Sequence, residues 1–306
     1  MNATQRKWLV VIAGPTAVGK TALSIHVAEA LRAEIISADS RQFYREMNIG
    51  TSKPTPEQLA RVPHHFVNHL SIHDQHYSAG KYEQDVLHFL QPYYQNYDIA
   101  VMTGGSGLFI RAVCHGFDTI DKSDAQQRET VRRVLNEKPL SWLQEELERL
   151  DPAYYEIVDT KNPVRLKRAL EVIYTTGRKY SELRTGAKKQ RPFEVLKIGL
   201  NLPREELYAR IDQRTEQMIR DGLPDEASRL YPYRKLPALQ TVGYPEMFDY
   251  LENKTTLADA TARIKQSTRQ YAKRQITWFK KEEDMHWFHP AQAQEIIAYI
   301  QQKISG

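Results

Sequence analysis

The stretch that decides the fold is Gly14-Pro15-Thr16-Ala17-Val18-Gly19-Lys20-Thr21. It follows the apolar, β-branched run of residues 8–13, which is too short for a helix, and precedes the helical pattern of residues 22–31. A glycine-rich loop of this spacing between a strand and a helix is the pattern of a phosphate-binding P-loop. Backbone N–H groups and the helix N-terminus supply positive potential there, and Lys20 adds a cation. We therefore predict that residues 14–21 bind a phosphate or diphosphate, with the Thr21 hydroxyl as a ligand for Mg²⁺.

The composition indicates a soluble globular chain of about two domains. Of its 306 residues, 41% are hydrophobic and 26% are charged. The single Cys114 excludes an internal disulfide and favours a reducing compartment. We expect a cytoplasmic protein without membrane association, because no apolar run has the length of a membrane span and no signal-peptide core follows the first residues. A monomer is also expected, although no sequence feature specifies the oligomeric state.

Positive charge is concentrated in two tracts. Residues 161–191 contain ten Lys or Arg and two acids, and residues 263–281 contain seven Lys or Arg and no acid. The net charge of the whole chain is only +5, so the remainder is acidic. Such tracts are often solvated helix faces, but those usually mix charges of both signs. Two separated basic tracts favour a polyanionic ligand larger than one nucleotide.

Two further strands are predicted to end beside the P-loop. Residues 33–40 are typical of a short strand that runs into Asp39, and residues 98–103 precede the glycine-rich corner Gly104-Gly105-Ser106-Gly107. Ligands of open parallel sheets collect at the carboxyl ends of strands. Asp39 is thus a candidate acid or base, although a helix-cap role is equally open, and Ser106 offers a hydroxyl to the same cavity. The second strand lacks the terminal Asp of magnesium-dependent NTP hydrolases, which disfavours an ATPase.

Five histidines lie in the turn-rich residues 52–82: His64, His65, His69, His73 and His76. His69 and His73 are four residues apart and could share a helix face, which raises the hypothesis of a metal site. No carboxylate or cysteine set completes a zinc pattern nearby. We therefore favour packed or hydrogen-bonded histidines.

The pattern of elements predicts an open parallel α/β sheet of the P-loop NTPase type, flanked by helices, with an inserted all-helical domain. The sheet domain comprises residues 1–117 and 194–306, and the insertion comprises residues 118–193. The predicted helices are residues 82–94, 108–115, 124–136, 141–150, 163–176, 204–220, 255–281 and 291–303, and strands are predicted at 195–200 and 286–288. Trp278 and Phe279 are interpreted as core residues.

Several stretches together resemble the tRNA dimethylallyltransferase (isopentenyltransferase) family. Besides residues 14–21 they are residues 37–44 (SADSRQFY), 48–54 (NIGTSKP), 62–65 (VPHH), 104–109 (GGSGLF), 168–172 (RALEV), 242–244 (VGY) and 273–279 (KRQITWF). They run in family order through nearly the whole chain. The resemblance also makes the Pro-His-His segment a structural feature of the family.

The resemblance implies transfer of the dimethylallyl group from dimethylallyl diphosphate to the exocyclic N6 amine of an adenine in tRNA. That adenine lies just 3′ of the anticodon, in tRNAs that read codons beginning with U. Diphosphate is the leaving group, so the P-loop and Mg²⁺ would neutralise charge that develops as the C–O bond breaks. The target base would have to be flipped out of the anticodon loop.

By the same resemblance, Asp39 is the catalytic base and Ser106, where the family usually has threonine, orients the amine or the diphosphate. Arg214 is a further candidate for a diphosphate contact. The tRNA-binding residues implied by the resemblance, together with those of the second basic tract, are Asp39, Ser40, Arg41, Gln42, Ser106, Arg128, Val164, Arg165, Leu166, Lys167, Arg168, Gln240, Thr241, Val242, Gly243, Tyr244, Lys273 and Arg274. The helical insertion would hold the anticodon stem-loop.

Two alternative functions share parts of this pattern. A P-loop small-molecule kinase or ATPase would use the same glycine loop but does not need the basic tracts. An adenylate isopentenyltransferase, which makes a free cytokinin, would share the catalytic core, and the basic insertion favours tRNA over this alternative.

Overall fold

The computed structural model describes residues 6–74, 77–118, 124–184 and 186–305. The chain divides into two compact units, one formed by residues 1–114 with 191–306 and the other by residues 115–190. The insertion boundaries proposed from the sequence were 118 and 193.

The first unit is built on a parallel six-stranded sheet of order β3-β2-β4-β1-β5-β6. Its strands are β1 (Trp8–Ala13), β2 (Ile35–Ser37), β3 (His64–His65), β4 (Ile99–Gly104), β5 (Glu194–Leu200) and β6 (Met285–Phe288). Alternate residues of β1 pack into two different apolar clusters, so helices cover both faces of the sheet. Ala13 pairs in register with Gly104 of β4 and Gly199 of β5, so the central strands end at one level.

The α-helices of the described ranges follow one another in chain order. They are α1 (Lys20–Leu31), α2 (Pro56–Arg61), α3 (Ala79–Asn96), α4 (Gly107–His115), α5 (Ala125–Asn136), α6 (Leu140–Leu150), α7 (Pro152–Tyr155), α8 (Pro163–Thr176), α9 (Tyr180–Leu183), α10 (Arg204–Arg220), α11 (Leu223–Leu230), α12 (Tyr244–Leu251), α13 (Leu257–Phe279) and α14 (Ala293–Ser305). Within those ranges, none combines the length and the apolar character that crossing a bilayer requires.

The second unit contains helices and no strand in its described residues and has its own apolar core. Leucines of α5, α6 and α8 pack there with Tyr154 of α7. The start of α8 follows from local chemistry, because the Asn162 side chain accepts hydrogen bonds from the backbone N–H groups of Val164 and Arg165. Gly177 ends the helix with a φ of 68°, in the left-handed region that glycine favours.

Every strand and long helix predicted from the sequence is present, with ends shifted by a few residues. The sequence missed the short β3 and five short helices, α2, α7, α9, α11 and α12. Four of these helices carry proline in the first turn, which the sequence presents as a break although it suits a helix start. The residues around His69 and His73 form turns and no helix, and His76 lies outside the described residues.

Candidate functional site

Two glycines shape the loop between β1 and α1. A Cβ atom on Gly14 would lie 2.7 Å from the carbonyl oxygen of Leu200, the last residue of β5, so no larger residue fits. Gly19 has a φ of 104° and immediately precedes α1. In the described part of the chain, the backbone N–H groups of Gly19, Lys20 and Thr21 have no hydrogen-bond acceptor. Such N–H groups at a helix N-terminus form a site for an anion.

Lys20 holds its ammonium group against this loop. Its Nζ donates to the carbonyl oxygens of Gly14, at 3.1 Å, and Pro15, at 2.8 Å. Burial lowers the pKa of Lys20 to about 8; the Asp39 carboxylate acts in the opposite direction, and the Arg214 guanidinium lowers the pKa further. Lys20 is therefore a partly desolvated cation whose charge an incoming anion would stabilise.

The ends of β2 and β4 meet beside the P-loop, as the parallel sheet predicts. The Ala38 N–H donates to the Thr103 carbonyl at 2.7 Å, and the Ser106 N–H donates to the Ala38 carbonyl at 3.2 Å. The Ser106 hydroxyl accepts from the Ser40 N–H at 3.1 Å and donates to the Ser40 hydroxyl at 3.2 Å. The corner that carries Ser106 and the corner that carries Asp39 are thus joined directly.

Asp39 is half-buried at this junction. Its Oδ1 accepts from the Arg41 N–H at 3.1 Å, and no described residue donates to its Oδ2. Its negative charge acts on three neighbouring groups. Burial lowers the pKa of Lys20 and of Arg214, and the Asp39 charge partly opposes this lowering. Burial raises the pKa of Tyr271 to about 12, and the Asp39 charge adds to this increase. A carboxylate with a free oxygen, next to two cations of the phosphate site, can accept a proton from a bound nucleophile.

Gln275 of α13 ties the two sides of the site together. Its Oε1 accepts from the N–H of Thr16 in the P-loop at 2.8 Å, and its Nε2 donates to the Gly105 carbonyl at 2.9 Å. The side chain is only 6% exposed, so water does not compete for these bonds. Gln275 thereby fixes the P-loop relative to the corner that carries Ser106.

Arg214 of α10 crosses from the P-loop to the segment after β2. Its Nη1 donates to the Thr16 hydroxyl at 2.8 Å and its Nε donates to the Ser52 hydroxyl at 2.7 Å. Burial lowers its pKa, and Asp39 partly opposes that effect. Arg214 also lines a groove of about 710 Å³ with the cations Lys53 and Arg210, polar Asn48, Ser52, Asn68, Gln213, Gln217 and Asp221, and apolar Ile49, Pro54, Pro56, Leu59 and Met218. A lining that contains both cationic and apolar side chains suits a ligand with an anionic head and a hydrocarbon tail.

The residues proposed for tRNA contact in the first unit lie around the end of β2. Gln42 donates through Nε2 to the carbonyls of Thr51, at 3.3 Å, and Ser52, at 3.2 Å. Arg41 donates through Nη1 to the Ala238 carbonyl at 3.3 Å, which ties it to the segment just before residues 240–244. Gln240, Thr241 and Val242 keep exposed or half-exposed side chains. Residues 39–42 and 240–241 therefore offer partly or fully exposed polar side chains, and the bond from Arg41 to Ala238 connects the two segments.

Two residues in the predicted tRNA-binding set are fully buried. Leu166 is 0% exposed in the core of the second unit, and Tyr244, the first residue of α12, is 0% exposed among apolar residues of α11, α12 and α13. Apolar and aromatic packing takes their side chains away from the surface, so neither can offer a side-chain contact in this conformation. Gly243 has no side chain and is followed by α12.

The cations of α8 and α5 are only partly available. Arg168 donates to Glu171 at 2.9 Å, and Arg132 makes two hydrogen bonds of 3.0 Å to the same carboxylate. Lys167 donates to the Asn136 side chain. Arg165 has no partner for its side chain among the described residues, Val164 is 74% exposed, and Arg128 is half-exposed. Of the predicted RNA-binding cations of α8, Arg165 is therefore the one whose side chain is not engaged by another described residue.

The second basic tract is partly neutralised in three dimensions. Arg263 pairs with Asp249 of α12, and Lys265 pairs with Glu216 of α10, both at 2.8 Å or less. Arg269 pairs with Asp212 of α10. The tract contains no acid in sequence, but helices packed beside α13 supply three. In the described part of the chain, Lys273 and Arg274 have no carboxylate partner, so they carry the uncompensated charge of this helix near Tyr271.

Thr21 fits the role of a magnesium ligand in one respect. Its hydroxyl lies in the first turn of α1 and makes no hydrogen bond to the described residues. Those residues contain no cluster of three or more His, Cys, Asp or Glu side chains that could hold a metal. A single hydroxyl therefore suits an ion that takes its remaining ligands from water and substrate phosphates, as Mg²⁺ commonly does.

The described histidines of residues 52–82 either make hydrogen bonds or pack against aromatic rings. The Nδ1 of His64 lies 2.7 Å from the Val62 carbonyl, and the Nε2 of His65 lies 2.6 Å from Glu34. His69 packs edge-on against Phe43, Phe66 and Tyr77. Trp278 and Phe279 pack against the core of the sheet, as predicted.

Sequence reasoning did not assign roles to Gln275, Tyr271 or Ser52. Gln275 and Tyr271 are four residues apart on α13, so helical spacing places them on one face, and the resemblance had already drawn attention to residues 273–279. That spacing is the signal that could have found them. Ser52 gave no such signal, because its role is to accept a hydrogen bond from Arg214, which lies 162 positions away in the sequence.

The fold and the site define a P-loop α/β protein whose anion loop lies beside a carboxylate and a hydroxyl from neighbouring strand ends. Residues 42–282 match the family model described as IPP transferase. The chain belongs to the IPP transferase family.

Relatives match this chain along nearly its full length. It is 51% identical over 292 residues to tRNA dimethylallyltransferase 1 of Phocaeicola vulgatus, and the alignment covers 95% of this chain and 97% of the relative. It is 48% identical over 298 residues to tRNA dimethylallyltransferase 1 of Bacteroides fragilis, with 97% and 99% covered.

Solved structures match this chain both in fold and in sequence. The tRNA isopentenylpyrophosphate transferase of Bacillus halodurans is 34% identical, with a TM-score of 0.73 and coverage of 98% of this chain and 97% of that one. A eukaryotic dimethylallyltransferase, described as acting on tRNA, is 26% identical with a TM-score of 0.84, and 98% of this chain and 80% of that chain are covered.

Proposed function

We propose that this protein transfers the dimethylallyl group of dimethylallyl diphosphate to the N6 amine of the adenine just 3′ of the anticodon in tRNAs that read codons beginning with U. The observation that carries the proposal is the convergence of unpaired P-loop N–H groups, Lys20, Asp39 and Ser106 at one edge of the sheet. Full-length relatives named tRNA dimethylallyltransferase support it.

In this proposal the donor binds with its diphosphate at the P-loop and its hydrocarbon tail among apolar side chains. The N–H groups of residues 19–21 and the Lys20 ammonium receive the phosphate oxygens, and Arg214 contacts them from the side of the groove. Charge builds up on the diphosphate as the allylic C–O bond breaks, and preorganised donors stabilise charge that develops in the transition state.

The acceptor adenine lies on the side of Asp39 and Ser106. The N6 lone pair is delocalised into the ring, so the amine is a poor nucleophile until a base takes one of its protons. Asp39 accepts that proton while nitrogen forms the new N–C bond and diphosphate departs with the electrons of the C–O bond. The Ser106 hydroxyl, held by Ser40, orients the amine. Tyr271 has its hydroxyl in a desolvated position but is 37% exposed as a residue, so its ring offers a stacking surface for the flipped base.

Mg²⁺ is part of the proposal. The Thr21 hydroxyl would hold the ion together with diphosphate oxygens, and the bound ion would supply further positive charge at the leaving group. The residues of the chain perform the remaining steps: they bind the diphosphate, orient the amine and remove its proton.

One experiment separates this function from its alternatives. Purified protein is incubated with Mg²⁺, dimethylallyl diphosphate labelled in the allyl group, and total tRNA, AMP or ATP in parallel. We expect label in tRNA, recovered as N6-dimethylallyladenosine after digestion, and no label in an anticodon stem-loop whose target adenine is replaced by guanine. Label in AMP but not in tRNA would indicate a cytokinin synthase. ATP hydrolysis with unlabelled tRNA would contradict prenyl transfer.

The salt dependence of tRNA binding tests the free cations of α13. Replacing Lys273 and Arg274 with alanine is expected to weaken binding of an anticodon stem-loop and to reduce the slope of log Kd against log salt concentration by about 1.5, for two lost phosphate contacts. The measurement is fluorescence anisotropy at several salt concentrations.

The matched control replaces Arg263 and Lys265 on the same helix. It removes the same charge, but these two cations are paired with Asp249 and Glu216, so we expect a smaller change in slope. A slope in the variant of residues 273–274 that equals the slope of the unmodified protein would show that these two residues do not contact the RNA.

The pKa of Lys20 predicts how diphosphate binding depends on pH. With a pKa of about 8, free Lys20 loses its charge as the pH rises above that value. A bound diphosphate raises the pKa, so binding takes up a proton, and affinity for a non-reactive allyl diphosphate analogue falls by up to about tenfold per pH unit above pH 8. Calorimetric titration between pH 7 and 9.5, where the phosphate oxygens are already ionised, measures this.

An arginine in place of Lys20 stays charged throughout this range and should flatten the pH dependence. Burial also lowers the pKa of Lys53 to about 8, so Lys53→Arg is measured in parallel. If the slope persists in Lys20→Arg and disappears in Lys53→Arg, the titrating group is Lys53 and the assignment to Lys20 fails.

A further inference from the structure

Glu226 of α11 is a buried carboxylate with no role in the steps above. It is 1% exposed, and no described cation lies within ion-pair distance of it. Its Oε2 accepts from the N–H groups of Asn48, at 3.0 Å, and Ile49, at 2.9 Å. Its Oε1 accepts from the Gly50 N–H at 2.9 Å and from the Tyr244 hydroxyl at 2.8 Å. Four donors therefore compensate the cost of burying this charge.

Tyr244 covers this carboxylate. A Cβ atom on Gly50 would lie 2.6 Å from the Tyr244 ring, so the backbone of the segment rests directly on the aromatic side chain. The buried hydroxyl of Tyr244 has Glu226 as its partner, and burial raises its pKa, with the Glu226 charge adding to the effect. This arrangement gives the buried Tyr244 a place in the structure other than RNA contact.

The segment held by Glu226 continues into the groups that face both substrates. The Ser52 hydroxyl accepts a hydrogen bond from Arg214 Nε, and Nη1 of the same guanidinium donates to the Thr16 hydroxyl in the P-loop. The carbonyls of Thr51 and Ser52 receive the Gln42 amide beside Asp39. Ser52 has a φ of 46°, an uncommon conformation for serine that the surrounding bonds must maintain.

We propose that Glu226 is a positioning residue for both substrates. By fixing the backbone of residues 48–50 it sets the position of residues 51–52, and these orient Arg214 toward the diphosphate and Gln42 toward the acceptor. The inference rests on the proposed function and adds a residue that touches neither substrate.

The test uses Glu226→Gln, which keeps the shape but turns one acceptor oxygen into a donor that opposes the backbone N–H groups. We expect the KM for dimethylallyl diphosphate to rise about tenfold, as for the loss of a buried charged acceptor, with a smaller loss of tRNA affinity. The Kd for inorganic diphosphate, measured by titration, should rise in parallel. Tyr244→Phe removes one donor of four and should give a weaker effect in the same direction.

A double-mutant cycle separates positioning from general damage. Ser52→Ala removes the hydrogen bond of Arg214 directly, so adding Glu226→Gln to it should raise the Kd for diphosphate little further. Glu46→Gln is the matched control: Glu46 also accepts a hydroxyl and a backbone N–H, from Ser71 and Ile72, but has no bond to residues 48–52. We expect its KM values to stay unchanged.

Three results would overturn the proposal: additive effects of Glu226→Gln and Ser52→Ala, an unchanged diphosphate Kd in a folded Glu226→Gln protein, or an equal rise in Glu46→Gln. Melting temperatures of all variants identify any that fail to fold, and for those Tyr244→Phe decides, since an unchanged Kd there overturns the proposal. The proposed function fails separately, if the unmodified protein transfers no prenyl group to tRNA, and the diphosphate titrations still judge the role of Glu226 in that case.

Discussion

Replacing Asp39 with alanine is expected to lower the rate of prenyl transfer by about a hundredfold or more, the usual contribution of a positioned base. Asp39 is the carboxylate at the junction of the β2 and β4 corners, and one of its oxygens has no donor in the described residues. Without it, no group on that corner can take the proton from N6 as the new bond forms. Single-turnover transfer at saturating donor measures the chemical step directly.

Binding of the tRNA should change little in the same variant, because phosphate contacts supply most of the affinity for RNA. Asp39→Asn keeps the shape and the bond from the Arg41 N–H but cannot accept the proton, so it should lose as much activity as alanine. Asp225→Ala, an exposed acid of α11, is the control for loss of charge. A single-turnover rate in Asp39→Asn equal to that of the unmodified protein would remove Asp39 from the mechanism.

Replacing Lys20 with methionine should reduce kcat by about a hundredfold to a thousandfold, the range found when one preorganised donor is removed from developing negative charge. The ammonium group lies against the P-loop carbonyls, and Lys20 is the lysine of the phosphate-binding pattern. Methionine keeps most of the unbranched stem and removes the charge. The donor KM should rise as well, because the same cation binds the ground-state diphosphate.

The ratio of these two effects is informative. A larger loss in kcat than in KM means that Lys20 acts mainly on the departing diphosphate, whereas a pure KM effect assigns it to binding alone. Lys81→Met removes one lysine charge from the exposed face of α3, where Lys81 pairs with Asp85, and should leave both constants unchanged. An active Lys20→Met protein with unaltered constants would place the diphosphate away from the P-loop.

The central part of the fold could be predicted from the sequence because its signals are local. Residues 8–13 form a fully apolar strand, residues 14–21 carry the glycine spacing, and α1 follows with its own periodicity. The convergence of Asp39 and Ser106 also followed from the sequence, because parallel strands end at the same edge. The bond between Ser106 and Ser40 agrees with that prediction, while the catalytic roles of these residues await the experiments above.

The sequence could not predict which basic side chains remain free of ion pairs and can therefore bind RNA. The basic tract of α13 contains no acid in sequence, but Asp212, Glu216 and Asp249 on other helices neutralise three of its cations. Likewise, a helical pattern places Leu166 beside Arg165 without saying which of them faces the core. Ion pairs and burial depend on which elements pack together, and a single sequence does not specify that packing.

The central strands, the long helices, the anion loop and the candidate base could be predicted from the sequence alone, because backbone conformation and hydrophobic periodicity act over a few residues. Three further contacts became visible only in the folded chain: Gln275 joins the P-loop to the Ser106 corner, Arg214 donates to Ser52, and Glu226 accepts from the backbone of residues 48–50. These contacts join residues more than a hundred positions apart, and hydrogen bonds form between such groups only after the core has brought their elements together.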